Sequence, residues 1–385
     1  MKVLVAEPFG KEGIEILRGF VEVDIKPGLK PEELIAIVGD YEALIVRSQS
    51  QVTADVVAAG KKLQVIARAG VGVDNIDVEA ATAKGIVVVN APTGNTIAAA
   101  EHTIGLMLAL ARHIPQANAV LKSGAWRRND FVGIEVKGKT LGIVGLGNVG
   151  SEVARRARGL EMKLLGYDPF ISVDHARNLQ VELVPLKKLF KESDFITLHI
   201  PLTAQTKRLI GTRELALVKP TVRIINAARG GLVDEEALAK AVKKGKIAGA
   251  AIDVFSTEPL TSSPLFEQAN IIVTPHLGAS TTEAQTMVAT DIAEQVVAVL
   301  KGQPARYAVN APFISAETIP VLIPFIRAVT TAGKLLSQLI TGQISSIQIK
   351  YDGEISSYDT KALRAATLGG LLEGISEERV TLVNA

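Results

Sequence analysis

The segment that most constrains the fold of this chain is TLGIVGLGNVGSEVARRARGLEMKLLGYDP, residues 140–169. It contains an apolar run, a glycine-rich turn, an amphipathic helical pattern, a second apolar run and an acid. Gly145, Gly147 and Gly150 have the G-x-G-x-x-G spacing, in which the glycines permit a tight turn, close backbone approach to a pyrophosphate, and close helix–strand packing. The N-terminus of the following helix offers N–H groups and a partial positive charge to phosphates. The segment therefore predicts a dinucleotide-binding unit.

Asp168 follows this glycine turn at the end of the next predicted strand. An acid in that position hydrogen-bonds the ribose hydroxyls of a dinucleotide. Because a carboxylate there would repel a 2′-phosphate, NAD is predicted rather than NADP. The alternative is a surface aspartate in a YDP turn, but strand, spacing and helix together favour the cofactor interpretation.

Val- and Ile-rich runs alternate with helical patterns over residues 1–95 and again over residues 140–283. Repeated β-α-β units form parallel sheets with helices on both faces, so an α/β fold with two doubly wound sheets is predicted. Two long helical patterns, 96–113 and 281–301, flank the second series. We therefore predict a second domain inserted into the first, with a ligand cleft between them. The predicted boundaries are 1–95 with 285–302 for the substrate-binding domain and 96–284 for the dinucleotide-binding domain.

The alternating pattern of apolar runs and helical segments ends after residue 302. Residues 324–340 and 360–375 have helical patterns, 344–356 alternate like an exposed strand, and 379–385 read as a strand. The sequence thus predicts a partial α+β domain over 303–385.

Composition excludes several other classes of protein. The 385 residues are too many for one ordinary core. The 42 basic and 40 acidic residues give a net charge of +2, so the chain lacks the excess of basic residues that is typical of nucleic-acid-binding proteins. Since the chain has no cysteine, disulfides and thiolate metal sites are excluded, and no metal is expected. No signal peptide or membrane span is predicted, so a cytoplasmic location is expected.

A histidine is the first candidate for the general base that removes a hydroxyl proton during alcohol oxidation, because it titrates near neutral pH. Only His199 and His276 follow predicted strands at the ends where open α/β sheets bind ligands. Gly278 permits close backbone approach beside His276, which is therefore predicted as the base. His199, followed by Pro201, is predicted to line the nicotinamide pocket or to pack. The other three histidines are predicted to pack or to face solvent: His102, His113 and His175.

Two charged residues also follow predicted strands. Glu258 could orient the imidazole and favour its protonated form, although an exposed loop acid before Pro259 is the simpler interpretation. Arg229, followed by two glycines, could bind a substrate carboxylate in a bidentate manner and polarise the reacting oxygen. A surface arginine at a helix start is the alternative, but a cation there opposes the helix dipole.

Several motifs together resemble the D-isomer-specific 2-hydroxyacid dehydrogenases over residues 1–302: GLGNVG with Asp168, LHIPLT, INAARGGLVDEEAL, DVFSTEP, PHLGAS, VRSQS and RAGVGVDNID. The resemblance implies a flavodoxin-like substrate domain with an inserted Rossmann NAD domain. It implies NAD-dependent oxidation of D-3-phosphoglycerate to 3-phosphohydroxypyruvate, in serine biosynthesis, by a homodimer or homotetramer. Residues 303–385 resemble the first part of the intervening domain of long family members, so the chain is expected to be truncated or an unusual variant, without serine feedback.

The same resemblance implies roles for individual residues. The catalytic residues are Arg229, Glu258 and His276. The substrate residues are Arg47, Ser48, Gly70, Val71, Gly72, Asn75 and Arg128. Residues 70–72 would offer N–H groups to the substrate carboxylate, and the two arginines would bind the substrate phosphate. The cofactor residues are Gly145, Gly147, Asn148, Val149, Gly150, Asp168, His199, Pro201, Thr203, Ala227, Asp253, Gly278 and Ala279.

Two other functions remain open from the sequence. One is a dehydrogenase for another D-2-hydroxyacid, such as glycerate, glyoxylate or lactate. The other is a non-catalytic NAD-sensing module, since related corepressors keep the same fold and triad. The near-neutral charge and the C-terminal extension favour the enzyme over the sensing module.

Overall fold

The computed structural model describes residues 1–311, 318–340 and 346–372. The chain divides into two compact units. Unit 1 consists of Met1–Gly94 and Gln285–Ala385, and unit 2 of Asn95–Ala284. The chain thus leaves unit 1 after its fifth strand and returns to it within a long helix.

The first part of unit 1 alternates short strands and helices. Its elements are β1 (Lys2–Val5), α1 (Lys11–Arg18), β2 (Glu22–Ile25), α2 (Pro31–Ile37), β3 (Ala43–Val46), α3 (Ala54–Ala59), β4 (Val65–Arg68), α4 (Val78–Ala83) and β5 (Val87–Val89). All strand pairs are parallel, in the order β2-β1-β3-β4-β5. The strand order reverses between β1 and β3, and such a switch point is where open α/β sheets bind ligands. Every residue of β3 is buried, because helices cover both faces of the sheet.

Unit 2 contains a larger sheet. Its elements are α5 (Thr96–Arg112), α6 (Ile114–Lys122), β6 (Thr140–Val144), α7 (Asn148–Gly159), β7 (Lys163–Tyr167), α8 (Val173–Asn178), β8 (Glu182–Leu183), α9 (Leu186–Glu192), β9 (Phe195–Leu198), β10 (Arg223–Asn226), α10 (Glu235–Lys243), β11 (Gly249–Ile252) and β12 (Ile271–Val273). The seven strands are parallel in the order β12-β11-β10-β9-β6-β7-β8. The switch point lies between β6 and β9, and one core packs on each face of the sheet. The predicted fold class of two parallel α/β sheets is therefore confirmed.

The long helix predicted over 96–113 ends one residue early, and a second helix follows it. His113 has φ +53°, a left-handed conformation that a continuous helix does not contain. The backbone turns there, and α6 continues in a new direction. The sequence analysis did not predict α6, although Pro115 in its first turn is a signal for the start of a helix.

The chain returns to unit 1 through α11 (Thr282–Leu300) and continues into α12 (Ile319–Leu339) and α13 (Lys361–Leu372). Val288, Ile292 and Val296 of α11 join the core beneath β1 and β3. Helices α12 and α13 cross closely, because a Cβ at Gly370 would collide with the carbonyl oxygen of Thr330.

The prediction of an exposed strand over 344–356 is wrong for its described part. Residues 346–353 form no ladder with any residue of the described ranges, and Glu354–Ser357 form a 3₁₀ turn. Alternation does not supply the neighbouring strand that a ladder needs. Tyr351 and Ile355 instead pack against the small core that Leu322 of α12 forms with Ala362 and Leu363 of α13. The strand predicted over 379–385 lies outside the described residues.

None of the described helices combines the length and the apolar character needed to cross a membrane.

Candidate active site

The glycine turn between β6 and α7 leaves room for a ligand in front of a helix N-terminus. Gly145 has φ +93°, and a Cβ there would collide with the carbonyl oxygen of His199. A Cβ at Gly150 would collide with the carbonyl oxygen of Gly145, so the outer glycines are required by packing. At Gly147 an added Cβ would meet open space, and this residue caps α7 without a side-chain hydrogen bond. The turn therefore fits a dinucleotide phosphate, which the first N–H groups of α7 can bind.

Asp168 lies directly after β7 and shapes this turn. Its Oδ2 accepts the N–H of Leu146 at 2.9 Å, and its Oδ1 accepts the N–H of Phe170 at 2.9 Å. The carboxylate is thereby held beside the glycine turn and is partly accessible. This placement fits the predicted role of binding the ribose hydroxyls.

His199 packs against the glycine turn. Its Nε2 lies 2.9 Å from Thr197 Oγ1. Burial lowers the pKa of His199 to about 3, so the ring stays neutral at physiological pH. A neutral imidazole packed at the switch point agrees with the predicted lining role.

His276, just beyond β12, is paired with Glu258 in the loop after β11. The imidazole Nδ1 lies 2.6 Å from Glu258 Oε2, and the other carboxylate oxygen accepts the N–H of Phe255 at 2.9 Å. Burial of Glu258 acts to raise its pKa, but the hydrogen bonds from His276 and Phe255 outweigh it, so its pKa is lowered. The carboxylate is therefore ionised at neutral pH. It fixes the proton on Nδ1, which leaves Nε2 as the ring nitrogen that can accept a proton.

Asp253, fully buried after β11, holds the loop that carries His276. Its carboxylate accepts the N–H groups of Leu277 at 2.7 Å and Gly278 at 2.9 Å. It also accepts the Thr274 hydroxyl at 2.6 Å. The backbone of His276 is left-handed, with φ +55°, and its N–H donates to the carbonyl of Asp253 at 2.8 Å. The strained residue is thus fixed on both sides by one aspartate.

The structure adds His102 of α5 to this group, which the sequence analysis assigned to simple packing. Its Nε2 lies 3.2 Å from Asp253 Oδ1 and 3.4 Å from Thr274 Oγ1. Burial of Asp253 acts to raise its pKa, but hydrogen bonds from His102, Thr274 and the loop N–H groups outweigh it, so its pKa is lowered. A helix residue more than a hundred positions away has no local signal for such a contact.

Arg229 lies in the loop after β10. Asn226, which is buried, donates from Nδ2 to the carbonyl of Arg229 at 2.9 Å, and its Oδ1 accepts the N–H of Ala228 at 3.2 Å. The guanidinium donates to the carbonyl of Ala228 at 2.7 Å. A Cβ at Gly230 would collide with the carbonyl oxygen of Phe255, so this loop touches the loop of Glu258.

The three loops after β10, β11 and β12 therefore meet at one edge of the sheet. A Cβ at Gly278 would lie 3.4 Å from Asp253 Oδ2 and 3.7 Å from the carbonyl oxygen of Ala227. Neighbouring parallel strands bring their carboxyl ends together, and these contacts join the loops. The arrangement brings the loops of Arg229, Glu258 and His276 to one region of unit 2.

The remaining predicted cofactor residues lie at the same edge of the sheet. Asn148 and Val149 begin α7, and Ala279 follows the loop held by Asp253. Pro201 and Thr203 lie in the exposed loop after β9, where the carbonyl of Pro201 accepts the hydroxyl of Thr206 at 2.7 Å.

The predicted substrate residues of unit 1 follow β3 and β4. Asn75 Nδ2 donates to the carbonyls of Arg47 at 2.9 Å and Ser50 at 2.6 Å, so the two loops are joined. Ser48 is exposed. Gly70 has φ +152°, a conformation that favours glycine, and its carbonyl accepts the N–H of Ala91 at 2.9 Å.

The other predicted substrate residues lie in two separate places. Val71 and Gly72 are partly exposed, and the carbonyl of Val71 accepts Asn90 Nδ2 at 2.5 Å. Arg128 lies in unit 2 and is exposed in the 3₁₀ turn Arg128–Phe131.

Comparison with known proteins shows the family to which the chain belongs. The sequence profile of the NAD binding domain of D-isomer specific 2-hydroxyacid dehydrogenases matches residues 104–278, and that of the D-3-phosphoglycerate dehydrogenase intervening domain matches residues 321–385. The chain is 51% identical to a D-3-phosphoglycerate dehydrogenase of Synechocystis over 100% of this chain and 70% of that protein. It is 48% identical to one of Archaeoglobus fulgidus, over 100% of this chain and 73% of that protein.

A solved structure agrees as well. The TT0316 protein of Thermus thermophilus superposes with a TM-score of 0.75 at 35% identity, over 80% of this chain and 100% of that chain. The chain belongs to the D-isomer-specific 2-hydroxyacid dehydrogenases, in the branch of the D-3-phosphoglycerate dehydrogenases. NAD as the cofactor is confirmed by the match to the NAD-binding profile.

Proposed function

We propose that the chain catalyses the NAD-dependent oxidation of D-3-phosphoglycerate to 3-phosphohydroxypyruvate, the reaction that opens serine biosynthesis. The observation that carries the proposal is the His276–Glu258 pair at 2.6 Å, at the same sheet edge as a glycine turn that fits a dinucleotide. Identities of 51% and 48% to D-3-phosphoglycerate dehydrogenases support the choice of substrate.

NAD supplies the hydride acceptor for the hydrogen on C2 of the substrate. His276 removes the proton of the C2 hydroxyl through Nε2, because Nδ1–H is committed to Glu258. The imidazolium that forms is stabilised by the Glu258 carboxylate, which is ionised before the reaction starts. Glu258 itself does not need to accept the proton.

Arg229 binds the substrate carboxylate and polarises the reacting oxygen. A guanidinium presents two parallel N–H donors that match a carboxylate in geometry and charge. The bonds from Asn226 to the backbone at 228 and 229 hold the loop in place for this contact.

We assign substrate binding to residues 1–95 with 285–302 and cofactor binding to residues 96–284. In the first segment, the N–H groups of residues 70–72 bind the substrate carboxylate, and Arg47 with Ser48 binds the phosphate. Arg128 is a second phosphate ligand. Support for this assignment comes from the ends of β3 and β4, which lie at one edge of the unit 1 sheet.

The experiment that tests this function is a substrate panel with NAD, followed by the absorbance of reduced nicotinamide. D-3-phosphoglycerate should give the highest kcat/KM, and removal of the phosphate, as in D-glycerate, should lower it. A higher kcat/KM with D-lactate or glycerate would assign the chain to another 2-hydroxyacid. NAD binding without turnover of any acid would favour a sensing role.

We also propose that the protein is a homodimer or homotetramer that associates through unit 2. Within the described range 95–284, α6 buries none of its residues. Ile114 is 54% exposed, Leu121 56%, and Trp126, just beyond the helix, 82%. Exposed large apolar side chains close together in the sequence support a protein–protein contact here, which a symmetric oligomer would form with the same residues of each copy.

A further inference from the structure

Glu7 is a buried carboxylate in unit 1 with no role in the chemistry described above. It is only 4% exposed and follows β1. Its Oε1 accepts the N–H groups of Arg47 at 2.8 Å and Ser50 at 2.9 Å, and its Oε2 accepts the N–H of Gln49 at 3.2 Å. A buried ionised group is costly unless it is hydrogen-bonded, and here three backbone donors converge on it.

Asn75 supplies the complementary contacts from the other side of the same loop. Its Nδ2 donates to the carbonyls of Arg47 and Ser50. Two side chains thus bind three of the four N–H groups and two of the four C=O groups of the loop 47–50, which has no helix or strand of its own. The conformation of this loop depends on these two residues.

The position of the loop in the sheet is that of a ligand site. Glu7 follows β1 and Arg47 follows β3, and these strands are neighbours at the point where the strand order reverses. Convergent backbone N–H groups form a concavity that suits an anion. Because the Glu7 carboxylate occupies it from within the protein, the loop keeps its shape before any ligand binds.

We propose that Glu7 and Asn75 are positioning residues that preorganise the Arg47–Ser50 loop for the substrate phosphate. The proposal rests on the proposed function, which assigns Arg47 and Ser48 to that phosphate. Glu7 acts through the backbone and does not touch the substrate. Loss of the contact therefore weakens substrate binding in the ground state and the transition state alike, which raises KM and leaves kcat unchanged.

The test is steady-state kinetics of Glu7→Gln in the full-length chain, with the exposed helix residue Glu15 changed to Gln as the matched control. Glutamine keeps the shape but replaces one of the two acceptor oxygens with an amide NH2 group, which is itself a donor and faces a backbone N–H. We expect KM for D-3-phosphoglycerate to rise about tenfold, equivalent to about 1.4 kcal/mol, with kcat changed by less than about twofold. KM for NAD should be unchanged, and D-glycerate, which lacks the phosphate, should be affected less.

Two further measurements separate positioning from general loss of stability. Glu7→Asp keeps the charge and should restore part of the affinity lost in Glu7→Gln. Hydrogen exchange of the amides of Arg47, Gln49 and Ser50 should be slow in the wild type and fast in Glu7→Gln, with protection of β1 and β3 retained. An equal fall in kcat and kcat/KM, or unchanged exchange at the three amides, would overturn the positioning role.

The outcomes also distinguish this proposal from the proposed function. A wild type that does not turn over D-3-phosphoglycerate would overturn the function, while hydrogen exchange would still report on the loop. An active wild type with an unchanged KM in Glu7→Gln would overturn the positioning role alone.

Discussion

Asp253 is the residue that holds the loop of His276, the proposed general base. It directly follows β11, which lies next to the edge strand of the unit 2 sheet, and its carboxylate accepts two N–H groups of the loop that begins with His276. His102 and Thr274 complete its coordination. Four donors to one buried carboxylate favour its ionised form, because hydrogen bonds to a charged acceptor are the stronger ones and protonation would place an O–H donor among them.

The stability of the fold should therefore depend on the charge of Asp253. Its pKa in the folded protein lies below the ordinary value of 3.8, so its ionisation stabilises the native state above that pH and ceases to do so as the pH falls through the folded pKa. We expect Asp253→Asn to cost about 1–3 kcal/mol at pH 7 and clearly less at pH 3, measured by urea unfolding. Asp174→Asn on the exposed surface of α8 is the control. Equal losses at both pH values would show that shape, not charge, is responsible.

Glu258 should determine how fast the enzyme turns over. In the proposed reaction His276 takes up a proton, and the Glu258 carboxylate, 2.6 Å from Nδ1, stabilises the imidazolium that forms. In Glu258→Gln the imidazolium loses this charged partner, so kcat for D-3-phosphoglycerate should fall while the dissociation constant of NAD stays at the wild-type value. Glu267→Gln, which changes an exposed acid in the same connection, should leave kcat unchanged. A Glu258→Gln variant that turns over as fast as the wild type would remove Glu258 from the mechanism.

At the scale of single residues, the sequence predicted the residues that belong to recognisable motifs. It did not predict residues whose hydrogen-bond partners lie far away in the sequence. Glu258 and His276 were predicted as a pair and lie 2.6 Å apart. Glu7 and His102 gave no signal, because their partners are backbone groups and a carboxylate that only the folded chain brings near. Asp253 was predicted to lie near the cofactor, but its bonds to the loop after β12 could not be read from the sequence.

The glycine turn before α7 contains two glycines that the packing of the fold requires and one that it does not. Gly145 and Gly150 are required because side chains there would collide with backbone. Gly147 has φ −66°, which any residue adopts, and open space around it. The fold therefore does not require a glycine there, and we expect its lack of a side chain to serve the cofactor.

Alanine substitutions at these two kinds of glycine should have opposite effects. Gly147→Ala should unfold at the same temperature as the wild type but bind NAD more weakly, because its methyl group occupies the space in front of α7. Gly150→Ala should lose about 1–3 kcal/mol of stability, as overpacked sites do. Differential scanning calorimetry and NAD titration measure both. Unchanged NAD affinity in Gly147→Ala would place the phosphates elsewhere.

Strands that are buried on both faces of a sheet were predicted well. Strands β3 and β9 are short, mainly apolar runs buried at every residue, a pattern typical of a parallel sheet covered on both faces. The region 346–353 alternates in the same way as an exposed strand, but its partner was never specified by the sequence. The left-handed backbone at His113 carries no sequence signal of its own, but Pro115 in the first turn of α6 does mark the start of that helix.

At the scale of the whole molecule, the exposed apolar side chains of α6 and of the segment that follows it should determine the oligomeric state. Leu121, Trp126 and Val132 are 56%, 82% and 81% exposed in one chain, and a second copy would cover them. Multi-angle light scattering should give two or four times the 40.7 kDa of one chain. Trp126→Glu combined with Val132→Glu should shift the mass toward that of one chain.

A matched variant tests whether this surface is specific. Ile25→Glu places a charge on an exposed apolar residue of unit 1 and should leave the mass unchanged. A wild type with the mass of a single chain at micromolar concentration would contradict self-association. Both variants should keep the NAD affinity of the wild type if unit 2 remains folded.

The most direct test of the account is the turnover of His276→Asn with D-3-phosphoglycerate and NAD, followed by the absorbance of reduced nicotinamide. Because asparagine cannot accept the hydroxyl proton, kcat should fall by about 10²–10⁴, the usual contribution of a general base, while the dissociation constant of NAD stays at the wild-type value. A variant that turns over as fast as the wild type would contradict the central claim that this imidazole removes the proton.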